Sequence, residues 1–221
     1  MSAYRTYRRK RGSLGNASIT TLLILANVII FFIFSIWFIS NQDFVNFIAI
    51  KPSNILQGQY LWTIFTSMFM HGGVFHLFAN MFSLFFIGSL VERIIGPRRY
   101  ILFYLLSGIF ASILFVLLSL IFKSDFNTFA VGASGALFGL IGFLMLITPN
   151  LPVFVMFIPI PIKMKYAAPG ILIVLWLVSV AGNIPIGNTA HLGGLVAGII
   201  YALYIRKKYK NKIRMIGRHF S

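Results

Sequence analysis

Apolar residues gather into six runs along this chain, at about 18–40, 74–94, 99–122, 134–149, 166–183 and 189–206. A helix needs about 20 apolar residues to cross a hydrocarbon core of about 30 Å, and five of the runs come near that length. The pattern predicts an all-α membrane protein, a bundle of six transmembrane helices. The fourth run is short. Its 16 residues cover only about 24 Å. Its start is therefore expected to lie below the membrane surface, with the flanking loop buried in protein rather than in lipid.

Two stretches between the runs are not plain loops. Residues 41–73 contain FVNFIAI and LWTIFTSMFM, too apolar for water, and are expected to lie partly in the outer interface. Residues 150–165, NLPVFVMFIPIPIKMK, carry three prolines. They read as a connector returning along the inner face rather than as helix.

Charge orients the bundle. With the N-terminus inside and spans alternating, 17 of the 19 Lys and Arg fall on the inner side and only Lys51 and Lys123 on the outer. This asymmetry predicts that both termini are cytoplasmic. It also predicts a basic segment at 1–17, a helical domain at 18–206 and a basic tail at 207–221. The net charge of +16, set beside 59% hydrophobic and 10% charged residues and a mean hydropathy of +0.91, points to contact with anionic lipid, not to nucleic acid. The first run lacks a small-residue cleavage site at its end and reads as a retained span. There is no cysteine, which excludes thiol catalysis, disulfides and Cys-ligated zinc. His71 and His76 are five apart with no acid between them, unlike HExxH, so no metal or other cofactor is expected.

Polar groups inside spans are costly, and where they persist they are candidates for function. His76 and Asn80 share one face of the second run, Ser134 opens the fourth, and His191 stands near the start of the sixth. Even-numbered spans run in the same direction, so all four lie toward the external end. Gly135 and Gly139 on the fourth run, and Gly194 and Gly198 on the sixth, have the spacing that lets two helix backbones approach. Packing through them would bring His191 to Ser134. Phe138, four residues beyond Ser134, would place a ring against the histidine.

Taken singly, each residue has a plainer reading. A serine among glycines can be a packing residue, and a histidine in a span can be a polar bridge between helices. Together they suit nucleophilic catalysis. The acids are Asp43, Glu92 and Asp125, and none sits naturally behind His191. A Ser-His dyad is therefore expected in place of a triad. The Ser134 amide at a helix N-terminus, the His76 ring and the Asn80 amide would stabilise the oxyanion.

Three segments then carry a family likeness. VGASGALFGLIG resembles the nucleophile motif of rhomboid intramembrane serine proteases, HGGVFHLFANMFSLFFIG their second-helix motif, and AHLGGLVAG their sixth-helix motif. The likeness runs from about Trp62 to about Tyr201, and the chain resembles the minimal six-helix prokaryotic form. It implies a serine endopeptidase of a prokaryotic plasma membrane that cuts transmembrane segments of other membrane proteins near their external end. It also implies that the fifth helix, with its connector, is the substrate gate. Glu92 matches a family acid with a structural role. The family often has Trp-Arg in the first external loop, whereas Thr63 follows Trp62 here. That loop is expected to be anchored differently. The alternatives are a non-catalytic rhomboid-like protein that binds membrane clients and, disfavoured by the absence of internal repeats, a small transporter.

Overall fold

A computed structural model describes residues 17–40, 44–155, 158–182 and 186–210. The basic cluster before residue 17, Asp43 and the tail beyond residue 210 lie outside these residues.

The predicted bundle is present. Its helices are α1 (Ile19–Ser40), α2 (Val74–Ile95), α3 (Pro97–Leu118), α4 (Ser134–Ile147), α5 (Met164–Gly182) and α6 (Asn188–Lys208). All but α4 are long and apolar enough to cross a membrane. With 14 residues, α4 spans only about 21 Å. The chain is a multi-pass helical membrane protein.

Helix α4 occupies the centre. Gly135, Ala136, Leu137, Phe138, Gly139, Leu140, Gly142, Phe143 and Leu144 are all buried, and α3 and α6 flank it. The contact with α6 is backbone on backbone. A side chain on Gly194 would strike the Gly135 carbonyl, and one on Gly198 the Gly139 carbonyl. A Cβ on Gly142 would lie 2.5 Å from the Leu195 carbonyl oxygen. The Cα faces of Gly135 and Gly139, expected against α6, turn chiefly to α3: a Cβ there would come within 2.9 Å of Ala111 and 2.5 Å of Ser107. Small residues from three helices thus meet around α4.

At the opposite end from Ser134, Glu92 ties α1 to α2. Its carboxylate accepts the Ile19 and Thr20 amides at 3.0 Å each and the Thr20 hydroxyl at 2.8 Å. The free amides and positive dipole end of α1 thereby gain an anionic cap from another helix. Within α2, Leu84–Gly88 form a π-helical turn. A Cβ on Gly88 would sit 2.5 Å from the Tyr100 hydroxyl, so glycine leaves room for that side chain of α3 at this wide turn. The reversal from α2 into α3 uses Gly96 at φ +84°, followed by Pro97 in the first turn of α3.

The loop before α2 is more ordered than its composition predicts. It holds short helices at Val45–Ile48, Pro52–Leu56 and Thr63–Thr66 and a 3-10 turn at Ser67–Phe69. Trp62 Nε1 donates to the Phe47 carbonyl at 2.9 Å, and the rings of Phe47, Tyr60 and Trp62 pack together. Thr63 is fully buried and donates to the Tyr60 carbonyl at 2.7 Å. The proline-rich connector contains a short antiparallel pair, β1 (Pro152–Val153) with β2 (Ile162–Lys163). Periodicity over such short stretches carried no strand signal.

Candidate active site

The segment leading into Ser134 is pinned before it reaches the helix. Ile50 and Ala130 exchange two backbone hydrogen bonds of 3.0 and 2.9 Å, and the Ser53 amide donates to the Phe126 carbonyl at 3.0 Å. The Gly132 amide donates to the Ser67 carbonyl at 2.9 Å. The loop before α2 therefore holds the backbone from which Ser134 emerges.

Ser134 is the first residue of α4, where backbone amides lack partners within the helix. Its Oγ lies 2.8 Å from His191 Nε2. His191, in the first turns of α6, is only 7% exposed, and its ring stacks on Phe138 with centroids 4.6 Å apart and planes at 21°. The close approach of α4 and α6 at Gly194 and Gly198 brings these two elements together.

His76 comes from the first turn of α2. The Gly72 amide donates to its Nδ1 at 3.3 Å. In the neutral ring Nδ1 is then the acceptor and Nε2 carries the proton. That Nε2 lies over Gly132: a Cβ there would meet it at 2.9 Å and Ser134 Oγ at 3.6 Å. The His76 N–H and the serine oxygen thus face one space across Gly132. Gly132 also has φ +127°, a backbone that side-chain-bearing residues avoid.

Asn80 makes one bond within its own helix. Its Nδ2 donates to the His76 carbonyl of its own helix at 2.8 Å, and its Oδ1 is buried without a partner. One amide proton is committed locally and only the second is free. His71 packs edge-on to His76, centroids 5.2 Å apart, and is almost fully buried. Burial, and then the neighbouring His76, pull its pKa down to about 3, partly offset by the Phe69 carbonyl. It is therefore uncharged near neutral pH. Among the described residues no three His, Cys, Asp or Glu side chains gather as a metal site would need.

Two contributors escaped sequence reasoning. Gly132 was signalled only as one small residue among several in VGAS, and the Gly72 amide is backbone, without a side-chain signature.

Within the helical bundle of a multi-pass membrane protein, a serine thus meets a buried histidine, and a second histidine faces the same space. Residues 58–208 match the rhomboid domain family, and the chain belongs to that family. It is 37% identical over 169 residues to RHOMBOID-like protein 1 of Arabidopsis thaliana, covering 73% of this chain and 39% of that protein. It is 33% identical over 191 residues to Rhomboid protease GluP of Bacillus subtilis (strain 168), covering 85% and 35%. It is also 34% identical over 146 residues to Inactive RHOMBOID-like protein 8 of Arabidopsis thaliana, covering 65% and 38%. The chain spans about two fifths of the length of these relatives.

Proposed function

We propose that this protein is an intramembrane serine endopeptidase that cleaves transmembrane segments of other membrane proteins. The observation that carries the reading is the 2.8 Å contact between Ser134 Oγ and His191 Nε2, on a ring stacked against Phe138. His191 takes the serine proton as Oγ attacks the peptide carbonyl, then delivers it to the leaving amine. The Ser134 amide and His76 Nε2–H supply the oxyanion donors, and the second Asn80 amide proton is available to join them. A peptide bond in an intact helix is hydrogen-bonded and shielded, so the substrate must unwind locally before attack. Gly135, Gly139, Gly194 and Gly198 serve the geometry by packing, not by chemistry.

The organisation follows the same reading. Residues 18–206 form the protease domain and the flanking basic segments face the cytoplasm. The protein resides in a prokaryotic plasma membrane, and its cytoplasmic cations lie against anionic lipid. Similarity to a relative named inactive keeps the client-binding alternative in view, and the same assay decides it.

The test is cleavage of a tagged single-span substrate by purified protein in liposomes, beside Ser134→Ala and His191→Ala variants of unchanged thermal stability. Wild type is expected to cut toward the external end of the span, with each variant reduced by roughly 1000-fold or more. Equal cutting by all three would overturn the dyad. Retention of several different substrates without cleavage would favour client binding.

A further inference from the structure

Two buried polar atoms on α6 lack partners, and each is what the other needs. His191 Nδ1 and Asn188 Oδ1 both lie buried without a hydrogen bond, in residues only 7% and 6% exposed. Such orphans are uncommon in folded proteins and call for an explanation. The two residues stand three positions apart at the start of α6, a spacing that brings side chains onto one face of a helix.

Proton bookkeeping shows why the pair matters. For Ser134 to pass its proton to His191, Nε2 must be the bare nitrogen, so the neutral ring carries its hydrogen on Nδ1. That N–H needs an acceptor. Phe138 packs on the ring face and offers none. The acids among the described residues are engaged elsewhere: Glu92 caps α1, and Asp125 accepts the Thr189 hydroxyl at 2.7 Å. An unpartnered acceptor on the same helix, three residues before His191, is the Asn188 amide oxygen.

We propose that Asn188 is a positioning residue whose Oδ1 accepts the His191 Nδ1 proton, through a small rotation of the amide or one bridging water molecule, and so holds the ring in the tautomer that leaves Nε2 free for Ser134. The inference rests on the protease reading of this site. During attack the serine proton moves to Nε2 and the ring becomes an imidazolium protonated on both nitrogens. Asn188 keeps the Nδ1 proton in place, and the Nε2 proton leaves with the amine. A neutral amide orients the ring as a triad carboxylate would, but stabilises the imidazolium less.

The test reads the ring itself. The probes are nitrogen NMR of labelled histidine and cleavage kinetics on full-length protein in lipid nanodiscs. Wild type is compared with Asn188→Leu, Asn188→Ala as a second removal, and Asn188→Asp, which keeps an acceptor. Wild-type His191 is expected as the Nδ1–H tautomer with a slowly exchanging proton. Removing the amide should speed that exchange at least about tenfold and lower kcat roughly 10–100-fold with KM little changed. Asn188→Asp should restore both. Identical tautomer and exchange in wild type and Asn188→Leu would overturn the proposal, as would a loss of stability alone with kcat and tautomer intact. If wild type cuts nothing while the Nδ1 signature still depends on Asn188, the positioning contact stands and the protease reading falls.

Discussion

Helices α5 and α6 follow one another in the chain but are held in opposite ways. Half of the membrane-length stretch of α6 is buried, 50% against 22% for α5. Helix α6 meets α4 through glycines, with carbonyls where side chains would otherwise stand. Helix α5 is buried only in its first half, at Met164, Ala167, Ala168 and Leu172. Beyond these, Ile173, Val174, Leu177, Val178 and Val180 are exposed. Its far half is touched by an edge-on contact of Trp176 with Phe122, centroids 6.0 Å apart. This more exposed end leads directly to α6 and so lies toward Ser134. Backbone contact leaves no rotamer to adjust, so it suits elements that must fix a 2.8 Å contact. Contact by a few side chains at one end leaves the other end of α5 without such a lock.

The sharpest way to break this contrast is Gly198→Val. Its side chain would strike the Gly139 carbonyl. It should destabilise the bundle by about 3 kcal/mol or more and abolish cleavage. Native thermal unfolding of this variant would mean that α4 and α6 are not locked as described. Next comes Gly132→Ala, which combines an unfavourable φ with a collision against His76. A fall in kcat of roughly 100-fold is expected from the displaced donor, with a stability loss of about 1–3 kcal/mol. Smaller still is Glu92→Gln, which keeps the shape but removes the anion at the start of α1. It should cost about 1 kcal/mol, measured by denaturation in mild detergent, with the Ser134–His191 contact unaffected. The smallest effect is expected on α5: Val180→Ala, at a side chain 73% exposed, should alter stability by less than about 0.5 kcal/mol. A larger loss would show that α5 is held as firmly as α6.

Much of this was legible in the sequence because membrane helices announce themselves by length and hydropathy. The six runs match the six helices within a few residues, and the short fourth run is the short α4. Ser134, His191 and Phe138 meet because Gly194 and Gly198 bring α6 onto α4, the half of the glycine pattern that names the touching face. What stayed hidden depends on direction in space. The sign of φ at Gly132 is invisible in a one-letter code. So is the bond that Asn80 makes within its own turn. The turning of Gly135 and Gly139 toward α3 was missed because a glycine offers two approachable faces and the spacing names only one partner.

The wide turn at Leu84–Gly88 has a bearing on α2 as a rotating object. Each residue of a regular helix advances about 100° around the axis, and a π turn absorbs one residue without that advance. The extra residue of α2 is thus taken up locally. One half of the helix aims His76 at Ser134, and the other aims Glu92 at α1. Deleting one residue within the turn would restore regular winding with both halves still aimed as before. Deleting two would swing one half about 100° relative to the other, and either His76 or Glu92 would then point away from its target, though both side chains would still be present.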